Sequence, residues 1–139
     1  MHLVARVLRA AQTFEREAHR LFKPHGLSVA QFNVLIQLSR APEGIRASDL
    51  ARGLVVDPSN VTGLLKRMKR LGLVREVENT GDRRRHVVTW TPKGRSLWQA
   101  ANRDYERSLA KLDRTVGPRR QAGVAETLEA LVAAAVTLP

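Results

Sequence analysis

Apolar residues recur at helical spacing through most of the chain. Over residues 1–23 they return every three or four positions, which predicts an amphipathic helix that Pro24 ends. Ser28 then opens a second helix, because the Ser28 and Gln31 side chains can each accept from the other residue's backbone N–H in a capping box. We expect this second helix to end near Ala41, ahead of a proline.

The C-terminal third of the chain predicts two further amphipathic helices. Thr91 and Pro92 form an N-cap and first-position pair for a long helix that Gly117 breaks, and a last, alanine-rich helix follows. With the first helix, these segments have more apolar surface than a compact domain can cover, which indicates a partner surface. A two-fold homodimer is the simplest partner. We expect its interface to include Leu3, Val7, Leu109, Leu112, Leu128, Leu131 and Val132.

Between these helical regions, residues 48–91 have a different pattern. A short helix over 48–53 precedes a second helix, which Asp57 caps, Pro58 begins and Gly72 ends. Apolar residues at three- and four-residue steps define one face of this second helix. The opposite face is polar near its start and cationic further on. It consists of Ser59, Asn60, Thr62, Gly63, Lys66, Arg67 and Arg70.

This polar face has the composition of a DNA-contacting surface. Small polar side chains let a helix approach base edges, and Lys and Arg reach phosphate oxygens or guanine. Asn60 has the donor and acceptor for a bidentate contact with adenine. Lys69 is predicted to contact phosphate together with Lys66 and Arg70. A solvated helix face, which is also polar and charged, is the alternative.

Two runs with several β-branched residues follow this helix. Residues 73–78 and 86–91 flank a turn-rich segment, 79–82, and so predict a β-hairpin, or wing. Adjacent arginines at its tip favour a nearby anion, such as the minor groove of DNA. The acid before them is expected to hold one arginine in position, with a solvated surface pair as the alternative. The predicted wing contacts are Asp82, Arg83, Arg84 and Arg85.

Together these elements predict a mainly α fold with a small β-wing. We expect a single domain over residues 1–139, in which a winged helix-turn-helix lobe (28–96) is flanked by a helical dimerisation lobe (1–27 and 97–139). The formal net charge of +11 favours a polyanionic partner, here double-stranded DNA.

The segment 50–94 resembles the MarR (multiple antibiotic resistance regulator) family of winged-helix transcription factors. The matching residues lie in both helices and in the wing. They are Leu50-Ala51, the run DPSNVT at 57–62, the run LGLV at 71–74, and Asp82, Arg84, Trp90 and Thr91 at the family spacing. Two positions depart from the pattern, Glu76 where the family often has Arg and Trp90 where it usually has Leu.

The resemblance implies an obligate homodimer that binds a pseudo-palindromic operator, with repression as the usual mode. It also implies a short third strand at 45–47 and, in many members, release by a small anionic or phenolic ligand. The ligand pocket would lie between the dimer helices and the winged lobe. Candidate wall residues, for which core packing is the alternative, are Phe14, His19, Phe32 and Trp98.

Other classes of protein fit the sequence less well. The chain has no nucleotide-binding, hydrolase or metalloprotease motif and no evident acid pair, so we expect neither an enzyme nor a cofactor or metal site. Without cysteines it has no disulfide, which favours a cytoplasmic protein. Arg6 and Arg9 interrupt the apolar N-terminus, so a signal peptide is not expected. A basic helix lying on a membrane is an alternative that the interspersed acids disfavour.

Two alternatives to a sequence-specific regulator stay open from the sequence. An architectural protein would coat DNA with a uniform, salt-sensitive affinity and no operator. A protein-interaction module would use the winged fold without DNA, and would tolerate loss of Lys66 and Arg84 without a change of partner.

Overall fold

Six α-helices and a two-stranded hairpin make up the part of the chain that the structure describes. A computed structural model describes residues 2–54, 60–78 and 86–137. The mainly helical class with a small β-wing is confirmed. In chain order the elements are α1 (Leu3–Phe22), a 3₁₀ turn (Lys23–His25), α2 (Val29–Ser39), α3 (Ala47–Gly53), α4 (Val61–Arg70), β1 (Val74–Glu78), β2 (His86–Trp90), α5 (Pro92–Val116) and α6 (Pro118–Val136).

The start of α2 has the predicted capping box. Ser28 Oγ accepts from the Gln31 N–H at 3.1 Å, and Gln31 Oε1 accepts from the Ser28 N–H at 2.9 Å. The helix ends at Ser39, two residues earlier than predicted. The reason is local, because the next two N–H groups donate to carbonyls three residues back, at Gln37 and Leu38, and so tighten the last turn.

Most of the buried apolar side chains lie where α2, α3 and α4 meet the hairpin. Phe22 at the end of α1 stacks on Phe32 of α2 with ring centroids 4.1 Å apart. Both rings are almost fully buried, as are Leu50 of α3 and Met68 of α4. A fully buried side chain of this size stabilises the fold by roughly 1.5–3 kcal/mol. This packing fixes α3 and α4 relative to each other.

The hairpin has the predicted strands, each shorter by one residue. β1 and β2 pair antiparallel from Val74↔Trp90 to Glu78↔His86. The third strand expected at 45–47 is reduced to a single bridge, in which Ile45 and Val88 exchange hydrogen bonds of 3.0 and 2.8 Å. A longer strand cannot form there, because α3 already begins at Ala47.

The junction between hairpin and α5 is held by Thr91. Its hydroxyl accepts from the Gly94 N–H at 3.0 Å, as an N-cap does, and donates to the Gly72 carbonyl at 2.5 Å. Gly94 is buried against the chain before β1, since a Cβ there would lie 2.0 Å from the Leu73 carbonyl oxygen. The predicted N-cap is confirmed, and it links the end of α4 to the start of α5.

The chain divides into two compact units, Met1–Asn102 and Arg103–Pro139. In the second unit, Gly117 with φ +77° separates α5 from α6, and Gln121 Nε2 donates to Asp113 Oδ1 at 2.8 Å. None of the described α6 residues is buried. In residues 2–54, 60–78 and 86–137, no helix is long and apolar enough to cross a membrane.

Candidate nucleic-acid interface

One side of α4 is buried and the other is exposed. Val61, Leu64, Leu65 and Met68 face the core. The predicted contact residues that the structure describes all lie on the exposed side; they are Asn60, Thr62, Gly63, Lys66, Arg67 and Arg70. Ser59 lies outside the described residues, as do the predicted cap and first residue, Asp57 and Pro58.

The start of α4 leaves room for a ligand to approach closely. Asn60 precedes the helix in αR geometry, and its side chain makes no capping hydrogen bond. Among the described residues, a Cβ built on Gly63 would meet only Arg67 Nη1, at 3.9 Å, so these residues leave the space above this backbone open. A side-chain amide that does not cap its own helix, beside this backbone surface, suits contact with base edges.

The end of α4 is fixed by backbone geometry. Gly72 has φ +70°, which glycine adopts without steric cost. The Leu73 N–H donates to the Met68 carbonyl and the Gly72 N–H to the Lys69 carbonyl, both at 2.9 Å, which is the hydrogen-bond pattern of a Schellman motif. Lys93 Nζ of α5 also donates to the Leu71 carbonyl at 2.8 Å. The cationic last turn of α4 is therefore held at a defined position.

Lys69, a predicted phosphate contact, has a protein partner. Its Nζ pairs with Oε1 of Glu76 on β1 at 2.5 Å, and both side chains are part-exposed. Glu76 is one of the two positions that depart from the family pattern. This ion pair joins the flank of α4 to the wing and neutralises one cation of the helix.

A charged cluster at the start of α3, made by the N-cap residue Arg46 with Asp49 and Arg52, was not predicted as part of the interface. Arg46 Nε donates to Asp49 Oδ2 at 2.7 Å, and Arg52 donates to the other carboxylate oxygen. The hydrogen bond from Arg46, followed by that from Arg52, lowers the pKa of Asp49. In the sequence, the three-residue spacing of positions 46, 49 and 52 could have indicated that these side chains lie on one face of a helix. The cluster holds two guanidinium groups on the first helix of the helix-turn-helix, which in this motif crosses the DNA backbone.

Glu78↔His86 is the last pair of the hairpin that the structure describes before residue 79. The predicted tip contacts, Asp82, Arg83, Arg84 and Arg85, lie outside the described residues. Their role stays a prediction.

The predicted pocket residues have different surroundings. Phe32 is buried in the core against Phe22, whereas Phe14 and His19 on α1 are exposed. Trp98 is half-buried and its ring centroid lies 5.3 Å from that of Trp90. A ligand pocket formed by these four residues stays a prediction, and Phe32 has the core packing that was its alternative.

The predicted dimer residues are all at least partly exposed. Leu3 is 53% exposed, Leu112 39%, Leu128 40% and Val132 65%. The remaining members of the set are half-buried, namely Val7, Leu109 and Leu131. Their solvent-exposed apolar surface is what an interface needs, and their role also stays a prediction.

A family model described as "MarR family" matches residues 25–85. This segment contains α2, α3, α4 and β1, and so most of the helix-turn-helix described above. The chain belongs to the MarR family. In this MarR-family protein, the matched segment holds the predicted recognition helix together with the elements that fix its position.

Known relatives support this assignment over most of the chain. The transcriptional activatory protein BadR of Rhodopseudomonas palustris is 38% identical over 99 residues, which are 70% of this chain and 57% of BadR. The homoprotocatechuate degradative operon repressor of Escherichia coli is 27% identical over 81% of this chain and 76% of its own. The chain spans 46–60% of the length of the first three curated relatives it matches.

A solved structure shows the same fold in a DNA complex. The transcriptional regulator MOSR of M. tuberculosis, in complex with DNA, is 29% identical with a TM-score of 0.74. The match covers 99% of this chain and 100% of that one. The winged-helix fold is therefore confirmed by sequence family and by structure.

Proposed function

We propose that the protein is a transcriptional regulator that binds a pseudo-palindromic operator as a homodimer and represses transcription. The observation that carries this proposal is α4, which buries its apolar side, exposes a small polar start and a cationic end, and is fixed at its C-terminus. Such a helix can enter a major groove without rearrangement of the lobe.

Operator recognition then separates into base contacts and phosphate contacts. Asn60, Thr62 and Gly63 lie at the open start of α4 and read base edges. Lys66, Arg67 and Arg70 are exposed further along and bind phosphates, as do the guanidinium groups of Arg46 and Arg52 at the two ends of α3. The wing tip, residues 82–85, adds a minor-groove contact.

Dimerisation sets the geometry of the operator. Two recognition helices related by a two-fold axis reach successive major grooves when they lie about 34 Å apart. The apolar stripe of α6 supports this assembly, because Val124, Leu128 and Val132 are between 40% and 65% exposed in the single chain. A self-complementary interface covers this stripe on both subunits at once.

Regulation by a small aromatic or anionic compound is part of the proposal. The E. coli relative is named as the repressor of an operon for degrading an aromatic compound, homoprotocatechuate. A ligand shifts the DNA-bound population only if it binds the free and DNA-bound states with different affinities. We propose that its binding disfavours the spacing of recognition helices that the operator requires.

The test is selection of bound duplexes from a random DNA pool at near-physiological salt. We expect enrichment of an inverted repeat whose half-sites lie about one helical turn apart. A reporter gene placed behind that sequence should be repressed when the protein is supplied. Binding without enrichment would instead indicate an architectural protein, and activation of the reporter would overturn repression while leaving operator binding intact.

A further inference from the structure

Three consecutive backbone carbonyls after α4 accept hydrogen bonds from the start of α5. The Leu71 carbonyl accepts from Lys93 Nζ at 2.8 Å. The carbonyls of Gly72 and Leu73 accept from the hydroxyl and the backbone N–H of Thr91, at 2.5 and 3.0 Å. These bonds join residues that are 18 to 22 positions apart in the sequence, so they depend on the tertiary fold.

Close packing reinforces these bonds at the α4–α5 joint, which consists of residues 71–73 and 91–94. Gly94 is buried there, and a Cβ on it would lie 2.0 Å from the Leu73 carbonyl oxygen. The start of α5 therefore lies directly against the backbone that follows α4. Hydrogen bonds at three separate carbonyls restrict rotation at this joint as well as separation.

The rest of α5 has few buried contacts with the winged lobe. Among the described residues of this helix, only Gly94 and Ala101 are buried in the single chain. The rings of Trp98 and Trp90, with centroids 5.3 Å apart, add one contact with the wing beyond the joint. By contrast, α4 buries four side chains in the lobe and so moves with it. The attachment of the lobe to α5 therefore depends mainly on the joint.

A small rotation at the joint has a large effect at the start of α4. The joint holds the C-terminal end of this helix, whereas Asn60 precedes the other end. A rotation of about 5° displaces Asn60 by about 1.4 Å, because a rise of about 1.5 Å per residue puts Asn60 about 16 Å from the joint. Hydrogen bonds span only about 2.7–3.2 Å, so a shift of this size breaks contacts with base edges.

From this geometry we infer that Thr91 and Lys93 are positioning residues for operator recognition. Through the α4–α5 joint they set the angle between the recognition helix and α5, and with it the half-site spacing that the homodimer accepts. Their role rests on the proposed function, since α5 also carries the predicted dimer residues Leu109 and Leu112. Neither residue has to touch DNA, so their loss changes the accepted spacing and leaves the preferred bases unchanged.

The first measurement needs no DNA. The chain has no cysteine, so Arg67→Cys on the exposed side of α4 introduces a single thiol per chain for a spin label. Pulsed electron paramagnetic resonance then measures the distance between the two labels of a homodimer. We expect a narrow distribution when the joint is intact. Thr91→Val with Lys93→Met should widen it, because two donors to the end of α4 are lost.

The second measurement compares operator spacings, with unlabelled protein. The selected inverted repeat is lengthened or shortened by one base pair between its half-sites, which changes their separation by about 3.4 Å. We expect the unmodified protein to bind the altered repeats at least about tenfold more weakly, since only one half-site is then contacted in register. Thr91→Val with Lys93→Met should reduce this discrimination by about threefold to tenfold, while base preference within each half-site is unchanged.

Two further variants are controls. Thr91→Ser keeps the hydroxyl and should keep the narrow distribution and the discrimination between spacings. Arg95→Met removes one positive charge from the same turn of α5 as Lys93→Met does. Arg95 is also exposed, but its side chain donates to no carbonyl of the joint, so this variant should resemble the unmodified protein. Circular dichroism verifies the fold, and Lys93→Met alone provides the test if the double variant does not fold.

Specific results would overturn the inference. A distance distribution that does not widen would show that Thr91 and Lys93 do not fix α4. Equal loss of affinity at every spacing would show general destabilisation of the lobe, and would leave operator binding intact. A distribution that widens in a protein that selects no duplex would support the joint and reject the proposed regulator. Labels that give no distance would show a monomer and reject both.

Discussion

At the scale of single residues, Gly94 has the strictest requirement that the described chain reveals. A Cβ at this position would lie 2.0 Å from a backbone oxygen of Leu73, and backbone cannot move aside as a flexible side chain can. We expect Gly94→Ala to lower the free energy of unfolding by about 1–3 kcal/mol, through strain at the junction of hairpin and α5. Urea denaturation at fixed protein concentration measures this change.

The control for Gly94 is another helical glycine. A Cβ on Gly123 in α6 would meet no atom of the described residues within 4 Å. Gly123→Ala should therefore raise the free energy of unfolding by about 0.5–1 kcal/mol, from helix propensity alone. Equal effects of the two substitutions would show that close packing at Gly94 is not what determines its cost.

Asn60 is the residue whose side chain is best placed for base recognition. It lies at the start of α4 and makes no capping hydrogen bond, so its loss does not remove a cap. We expect Asn60→Ala to relax base preference at one operator position, symmetrically in both half-sites, at a cost of about 1–3 kcal/mol for the preferred base. Duplex selection with the variant measures this, and an unchanged profile would assign recognition to other residues.

Asp49 should make stability depend on pH in the acid range. The hydrogen bonds from Arg46 and Arg52 lower its pKa below the usual 3.8. A lowered pKa in the folded state means that the stabilisation is complete above the unfolded-state value and is lost as pH falls through the folded-state value. Carbon NMR titration of the Asp49 carboxyl should show the lowered pKa, and Asp49→Asn should remove that part of the acid dependence. A pKa at or above 3.8 would contradict the arrangement.

At the scale of elements, the sequence predicted helix ends better than the pairing of charged groups. Ser28, Thr91 and Gly72 act through local hydrogen bonds or backbone conformation, which short motifs encode, and their predicted caps and stops are present. The ion pair of Lys69 with Glu76 joins residues seven apart on different elements. It depends on how α4 packs against β1, and no local pattern specifies that packing.

The same distinction explains what was missed at the candidate interface. Arg46 and Arg52 are both held by ion pairs with the Asp49 carboxylate, which lies between them in the sequence. Their spacing was visible in the sequence, but it did not show that one carboxylate binds both. The four predicted pocket residues share aromatic chemistry, but only tertiary packing decides which ring is buried. Phe32 is buried on Phe22, whereas Phe14 is exposed on α1. Aromatic residues at helical spacing therefore do not define a cavity.

The pair between α4 and β1 should restrain DNA affinity. Lys69 forms an ion pair with Glu76, so a DNA phosphate must compete with the Glu76 carboxylate for the Lys69 ammonium group. We expect Glu76→Gln to free Lys69, to raise operator affinity, and to make the log–log salt slope steeper by about 0.9, the contribution of one phosphate contact. Operator binding measured at several salt concentrations gives both values.

The matched control is Glu78→Gln, on the same strand and the same face. It removes the same charge, but Glu78 has no ion-pair partner among the described residues. Its slope should not change. If both variants steepen the slope equally, net charge accounts for the effect and Lys69 has no particular part in it.

At the scale of the whole molecule, we expect specific operator binding to require the dimer. A single recognition helix contacts only half of an inverted repeat, so specific affinity depends on a fixed second copy. The exposed apolar stripe of α6 supports an interface there. Leu128→Asp with Leu131→Asp places two charges in this stripe, and burying unpaired charges in an interface is strongly unfavourable. We expect monomers, detected by sedimentation, and loss of specific operator binding.

The control for this pair uses the opposite side of the same helix. Ala130→Asp with Ala133→Asp has the same spacing and the same added charge, and its helix-propensity cost is at least as large, but it lies away from the apolar stripe. This variant should stay dimeric and bind the operator normally. If both variants stayed dimeric, the dimer interface would have to lie outside the apolar stripe of α6. Monomers of Leu128→Asp with Leu131→Asp that still bind the inverted repeat with full affinity would separate the two properties, and would leave α4 and the wing as a recognition unit that functions in a single chain.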